Sequence, residues 1–80
     1  MHKDEIVETV RKIINRILLD KANDSREIDA DTIIIGGNIP IDSLDLATIV
    51  IELEAKTGKD PFEAGFLNFS TVGELAELYA

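Results

Sequence analysis

Apolar residues recur at intervals of three and four positions along the first part of this chain. The residues that do so are Ile6, Val7, Val10, Ile13, Ile14, Ile17 and Leu18. This spacing puts them on one face of an α-helix, so an amphipathic helix is predicted from about Asp4 to Leu19. Arg16 and Lys21 lie near its end, where positive charge complements the helix dipole.

The stretch IPIDSLDLATIVIEL, residues 39–53, predicts a second helix. Asp42 is a suitable N-cap and Gly58 a suitable stop, so this helix should run from about Ser43 to Thr57. At roughly 100° per residue, its apolar side chains divide into two faces. The core face consists of Leu46, Ile49, Val50 and Leu53. The other face, here called the second apolar ridge, consists of Leu44, Ala47, Ile51 and Ala55.

Polar residues separate the second apolar ridge from the core face. They are Asp45, Glu52 and Lys56 on one side, and Ser43 and Glu54 on the other. A chain of 80 residues builds one small core, which can cover one face of this helix. The ridge must therefore meet the segment Phe62–Phe69, a partner, a ligand or water. Apolar patches rimmed by polar residues are common in protein-binding surfaces, so cover by the segment and cover by a partner both stay open.

Two more helices are predicted towards the end of the sequence. Phe62 and Phe66 are one helical turn apart and predict a short third helix, which Gly65 weakens. Thr71 and Glu74 match a capping box, so a last helix should begin there. The apolar face of that helix consists of Val72, Leu75, Ala76 and Tyr79.

Residues 20–38 are predicted to form a long polar loop. Its apolar residues are Ile28 and the run Ile33–Ile35. This run could be a strand, but no second strand is evident to pair with it, so the isoleucines are interpreted as pinning the loop onto the helices. We expect an all-α fold in a single domain, 1–80. Its form should be a small four-helix bundle with three main helices, a short third helix and a long first loop.

Charge is distributed unevenly along the chain. Residues 1–26 carry a net charge of +1 and residues 27–80 a net charge of −9, within a total of −8. An acidic surface repels nucleic acid and anionic lipid, and it steers a basic protein partner. Plain solubility is the alternative explanation.

Further features of the sequence suggest a cytoplasmic protein. The longest apolar runs are too short to span a membrane, and MHKDEIVETV lacks the apolar region of a signal peptide. There is no cysteine, so neither a disulfide nor a thiolate metal site can form.

The inventory of reactive side chains argues against an enzyme. A nucleophilic Ser43 would need a base, and the only histidine, His2, is next to the first residue. Gly36-Gly37 is not followed by the GK[ST] of a phosphate-binding loop, and no spacing resembles a calcium or zinc site. Ser43 is then either a residue of the helix start or a hydroxyl that another enzyme modifies.

The motif Ile41-Asp42-Ser43-Leu44-Asp45 resembles the attachment site of acyl carrier proteins and peptidyl carrier proteins. The order and length of the predicted elements, including the final TVGELAELY, are similar to that family over essentially all 80 residues. The resemblance implies an acyl-carrier-protein-like fold. It also implies a 4′-phosphopantetheine arm joined to Ser43 through a phosphodiester, with Asp42 as the preceding residue of the motif.

The resemblance also implies partners. A phosphopantetheinyl transferase would move the arm from coenzyme A to Ser43, usually with magnesium. The thiol of the arm would then hold an acyl or aminoacyl thioester, supplied by a loading enzyme and used by a downstream synthase or transferase. The expected partner face is Leu44, Asp45, Ala47, Thr48 and Ile51. In some members the core side of the same helix admits fatty acyl chains. The carrier is expected to be a monomer and not an enzyme.

Some positions differ from fatty-acid carriers. Thr48 and Ala55 stand where an acid is common, Lys56 adds a base, and GGNIPI lacks an aspartate-rich lead-in. The segment Lys59-Asp60-Pro61-Phe62, with the aromatic cluster that follows it, is similar to stand-alone carriers of secondary-metabolite or aminoacyl pathways. These features favour biosynthesis in a secondary-metabolite or aminoacyl pathway. The alternatives are a carrier for fatty-acid synthesis and a small helical interaction module without a prosthetic group.

Overall fold

A computed structural model describes residues 1–37, 39–65 and 67–80 of the chain. These residues contain three α-helices: α1 (Lys3–Ala22), α2 (Ser43–Thr57) and α3 (Val72–Tyr79). The bounds predicted for α2 are confirmed. Helix α1 continues three residues beyond its predicted end and stops at Asn23, whose φ of 50° is left-handed. Asparagine tolerates this conformation better than most residues, which explains the stop.

Helix α1 is the centre of the fold and packs against both α2 and α3. Its predicted apolar face is buried except for Val7, which is half-buried. The face predicted for α3 is fully buried, and its members Val72, Leu75, Ala76 and Tyr79 have no exposed surface. Helix α2 buries only Ile49 and Leu53 completely. Burial of each such side chain contributes about 1.5–3 kcal/mol, so α1 and α3 provide most of the core.

The described residues do not confirm a fourth helix. Residues 61–64, where the short third helix was predicted to begin, form turns instead. The N–H of Glu63 donates to the carbonyl of Asp60 at 3.3 Å, and that of Gly65 to the carbonyl of Phe62 at 3.1 Å. Gly65 has a φ of 137°, which is incompatible with a continuing helix. The predicted partner residue Phe66 lies outside the described residues.

Only part of the isoleucine run pins the loop. Ile28 and Ile34 are buried, whereas Ile33 and Ile35 remain 47% and 42% exposed. Ile33 forms an antiparallel bridge with Thr71. Sequence analysis had assigned Thr71 only to the start of the last helix. The prediction that these side chains anchor the loop to the helices by burial is thus correct for Ile34 and wrong for Ile33 and Ile35. An isolated bridge differs from a strand, and the pairing partner comes from the residues just before α3.

The start of α3 is held closely against the first loop. The N–H groups of Val72 and Gly73 donate to the carbonyls of Thr32 and Ala30 at 2.9 and 2.8 Å. A Cβ atom on Gly73 would lie 2.9 Å from the Ala30 carbonyl oxygen, so only glycine fits there without a shift. These bonds satisfy donors that a helix start would otherwise leave unpaired.

The capping box predicted for α3 is present. The side chain of Thr71 accepts from the Glu74 N–H at 3.1 Å, and the Glu74 carboxylate accepts from the Thr71 N–H at 3.0 Å. The same carboxylate accepts from the hydroxyl of Ser70 at 2.8 Å. This hydrogen bond is the main cause that lowers the pKa of Glu74.

No helix within the described parts of the chain is long and apolar enough to cross a membrane.

Candidate functional site

Ser43 is the first residue of α2, and its side chain is exposed. The capping interactions are made by its neighbours. The Asp42 carboxylate accepts from the Asp45 N–H at 2.9 Å, and the Asp45 carboxylate accepts from the Asp42 N–H at 3.2 Å. The Ser43 hydroxyl forms no hydrogen bond to another described residue, so it is accessible and is not needed to cap the helix.

Asp45 is engaged within the protein. The Lys21 ammonium donates to Asp45 Oδ2 at 2.6 Å and to the carbonyl of Pro40 at 3.0 Å. It also lies 3.7 Å from Asp42 Oδ2. The bond from Lys21 lowers the pKa of Asp45, and the bond to Asp45 raises the pKa of Lys21. The Asp45 side chain is only 20% exposed, whereas that of Asp42 is 60% exposed.

Sequence reasoning missed the contact between Lys21 and Asp45. It placed Lys21 at the end of the first helix as a partner of the helix dipole. The two residues are 24 positions apart, so no local spacing reports their approach. The only indication in the sequence was that a basic residue ends one helix and an acidic residue begins the next.

A second ion pair joins α1 and α2 further along. Arg16 donates twice to the carboxylate of Glu52, with Nη1 at 3.0 Å from Oε1. This bond lowers the pKa of Glu52 and raises that of Arg16. Asp45 and Glu52, which sequence analysis placed on one polar strip of the second helix, therefore both face basic residues of α1.

The second apolar ridge lies at the surface. Leu44 is 77% exposed and Ile51 is 64% exposed, and Ala47 and Ala55 are exposed as well. Thr48 is also exposed on this side, and its hydroxyl donates to the carbonyl of Leu44 at 3.2 Å. The described residues of the segment Phe62–Phe69 therefore do not cover the two large members of the ridge, and cover by the segment is wrong for Leu44 and Ile51.

The core face of α2 is less buried than predicted. Ile49 and Leu53 have no exposed surface, whereas Leu46 and Val50 are only half-buried. The reason is a cleft of about 400 Å³ that opens beside these two side chains. The lining residues are Ser43, Leu46, Ala47, Val50, Phe62, Gly65 and Phe69. The walls are thus almost entirely apolar, and Ser43 is the first of the α2 residues that form them.

A smaller cleft of about 210 Å³ borders Ser43 from the first loop. Its lining residues are Ile34, Ile35, Gly36, Ile41, Asp42, Ser43 and Leu46. Ser43 and Leu46 border both clefts, so Ser43 lies between them. Phe62, in the wall of the larger cleft, lies edge-on to Phe69 with the ring centroids 6.0 Å apart.

The described residues contain no group of three histidine, cysteine, aspartate or glutamate side chains that could hold a metal ion. Comparison of the chain with protein-family models, with curated proteins and with solved structures finds no match.

Proposed function

We propose that this chain is a carrier protein that holds acyl or aminoacyl intermediates as thioesters on a 4′-phosphopantetheine arm attached to Ser43. The observation that carries the proposal is an exposed, unbonded serine hydroxyl at the first position of α2, bordered by an apolar cleft. In this proposal the turns at residues 61–64 take the place of the short third helix of a four-helix carrier bundle.

The site fits a phosphodiester. Ser43 lies where the N–H groups at the start of a 15-residue helix point outward, and such a helix end favours a negative charge. Asp42 already caps the helix, so modification of Ser43 costs the helix no capping bond. The arm supplies a thiol when it is bound, in a chain that has no cysteine of its own.

The attachment step requires a separate enzyme. The Ser43 Oγ attacks the phosphorus that bears the pantetheine of coenzyme A, and a new P–O bond forms as the pyrophosphate P–O bond breaks. Adenosine 3′,5′-bisphosphate leaves, and the serine proton passes to a base of the transferase. No histidine stands near Ser43 in the sequence, and its neighbour Asp42 is occupied as a cap, so this chain supplies no evident base.

The larger cleft supports a role in shielding the cargo. Its apolar walls begin at Ser43 and continue past Leu46 and Val50 to Phe62 and Phe69. Apolar clefts with few polar groups suit an apolar ligand. We therefore propose that the cleft shelters the acyl part of a thioester-linked intermediate.

The second apolar ridge is the proposed docking face for partner enzymes. Leu44, Ala47, Thr48 and Ile51 provide exposed surface. Asp42 is the acid that remains most accessible beside them, because Lys21 already engages Asp45. The proposed partners are a phosphopantetheinyl transferase, a loading enzyme and a downstream synthase or transferase, met by a monomeric carrier in the cytoplasm. A secondary-metabolite or aminoacyl pathway is preferred to fatty-acid synthesis.

The exposure of Leu44 and Ile51 also supports a second candidate, a helical interaction module that carries no arm. The two candidate functions differ in whether they require the hydroxyl oxygen of Ser43. A carrier requires the Ser43 hydroxyl, whereas an interaction module requires only the ridge.

Intact-protein mass spectrometry tests this difference. The purified chain is incubated with coenzyme A, magnesium and a broad-specificity phosphopantetheinyl transferase, beside the variants Ser43→Ala and Ser25→Ala. Ser25 is an exposed serine away from α2 and controls for non-specific transfer. The parent and Ser25→Ala should each gain one phosphopantetheine, and Ser43→Ala none. No gain in the parent would overturn the carrier function and leave the interaction module.

A further inference from the structure

Lys21 joins three parts of the chain at one point. It lies in the last turn of α1, and its ammonium bonds to the backbone of Pro40 and to the carboxylate of Asp45. Pro40 precedes Ser43 by three residues and Asp45 follows it by two. Lys21 therefore contacts the chain on both sides of the serine, at the Pro40 backbone before it and at the Asp45 side chain after it.

The segment before Ser43 packs Ile39 and Ile41 against the core but forms few hydrogen bonds. Among the described residues, the only other hydrogen bond made by residues 39–41 is local, from the Ile41 N–H to the Ile39 carbonyl at 2.8 Å. Pro40 has no N–H to donate. The bond from Lys21 to the Pro40 carbonyl is thus the hydrogen bond that ties this segment to another element.

Lys21 also supports the cap of α2. The oxygen of Asp45 that accepts from Lys21 is Oδ2, which also accepts from the Asp42 N–H at 3.2 Å. The ammonium therefore holds the carboxylate in the position that the capping box needs. Because the ammonium is exposed, the pair contributes little to the stability of the whole fold, and its effect is local.

We propose that Lys21 is a positioning residue that fixes the backbone around Ser43 for modification by the transferase. This inference rests on the proposed carrier function. The positions of attacking and leaving atoms strongly affect the rate of a transfer reaction, so a loosened serine should react more slowly once bound.

The test compares Lys21→Met with Lys21→Arg and Lys12→Met. Arginine keeps the charge and can donate to both acceptors. Lys12 is an exposed lysine of α1 that forms no ion pair within the described residues, so its loss controls for the change in net charge. Steady-state transfer of the arm gives kcat and KM for each carrier. Amide hydrogen exchange, followed by nuclear magnetic resonance, gives the local opening of the cap of α2.

For Lys21→Met we expect kcat to fall about tenfold with KM within about twofold, because the effect is on positioning rather than docking. Lys21→Arg should restore most of the rate, and Lys12→Met should match the parent. Exchange at the Asp42 and Asp45 amides should accelerate in Lys21→Met. Exchange at the Glu74 amide, in the other capping box, should not change.

An unchanged kcat and unchanged exchange in Lys21→Met would overturn the role of Lys21 while leaving the carrier function intact. A change in KM alone would overturn positioning in favour of a docking charge. If no protein, including the parent, is modified, the carrier function fails, and exchange at Asp42 and Asp45 then decides whether Lys21 holds the segment. If Lys21→Met unfolds, Lys21→Gln replaces it, since its shorter and uncharged side chain still removes the ion pair with Asp45 and should slow transfer in the same way.

Discussion

Tyr79 is a buried phenol whose hydroxyl has no hydrogen-bond partner among the described residues. Burial raises its pKa to about 12, and the nearby carboxylates of Glu54 and Asp60 add to the shift. Its ring lies 6.3 Å from that of Phe62, which borders the larger cleft. A buried hydroxyl without a hydrogen-bond partner lowers the stability of the fold. The aromatic ring of the same residue raises it by filling the core.

We predict that Tyr79→Phe increases the free energy of unfolding by about 1 kcal/mol, because it removes the unpaired hydroxyl and keeps the ring. Chemical denaturation measures the change. The pH dependence provides a second readout. The folded pKa is above the unfolded value, so the parent should lose stability as pH rises from about 10 to about 12, beyond any loss from the lysines.

Phenylalanine cannot ionise at this position. The difference in free energy of unfolding between Tyr79→Phe and the parent should therefore be constant below pH about 10 and should increase above it. The absorbance of phenolate, which comes from the single tyrosine, gives the folded pKa directly. A phenolate that forms near pH 10 in the folded protein would contradict the buried environment.

At the scale of one element, α2 has a core face that is only partly buried and a second apolar ridge that is exposed. An isoleucine lies on each of these two faces. Ile49 has no exposed surface and Ile51 is 64% exposed. Each is well inside the helix, so propensity and capping effects are matched between them.

Ile51→Lys is predicted to change the free energy of unfolding by no more than about 0.5 kcal/mol, as for most surface positions. Ile49→Lys should destabilise the fold by more than about 3 kcal/mol, because it buries a charge without a partner. Thermal denaturation followed by circular dichroism measures both. In the transferase assay, Ile51→Lys should raise KM several-fold and leave kcat unchanged. A loss of helix in Ile51→Lys would mean that the ridge belongs to the core.

The elements that sequence analysis predicted well are those with local causes. Asp42 caps α2 and Thr71 caps α3 through bonds between residues three positions apart, so both starts were predictable. The end of α1 was misplaced because the apolar period stops at Leu18 while the backbone remains helical through Ala22. The bond between Lys21 and Asp45, like the bridge between Ile33 and Thr71, depends on how distant segments meet.

The accessibility of the candidate site was only partly predictable. Ser43 was singled out from its motif, and the structure places it at the surface. Helical periodicity did not predict the cleft beside it, because it assigns Leu46 and Val50 to a core face; only the resemblance implied space for an acyl chain on that side of the helix in some members. Whether such a face is filled depends on the segment after α2, in which residues 62–64 form turns and residues 67–69 are not helical.

At the scale of the whole molecule, repulsion between acidic side chains is the largest electrostatic effect on the stability of the fold. There are 16 acidic residues and 8 basic ones, and the ion pairs in the described residues are all partly exposed. Exposed pairs contribute little each. The unpaired carboxylates therefore outweigh them, and self-repulsion acts against the folded state.

Added salt should therefore raise the melting temperature, since ions screen charges separated by about 10 Å at 0.1 M. Magnesium at equal ionic strength should raise it further, because a divalent ion screens carboxylates more effectively. Glu63→Lys provides the control. This exposed residue lies in the turn segment, and its replacement raises the net charge of −8 by two. The variant should melt higher than the parent at low salt and respond less to salt. Equal melting at low and high salt would show that self-repulsion is unimportant.

The small share of α2 in the core has a consequence for where the protein opens. Six residues of α1 and five of α3 are buried, against two of α2. Local opening follows the parts of a fold with the fewest buried apolar contacts. We therefore expect α2 to open before the α1–α3 pair, taking with it the wall of the larger cleft that carries Leu46 and Val50. The element that bears Ser43 would then also widen the space beside it without loss of the fold.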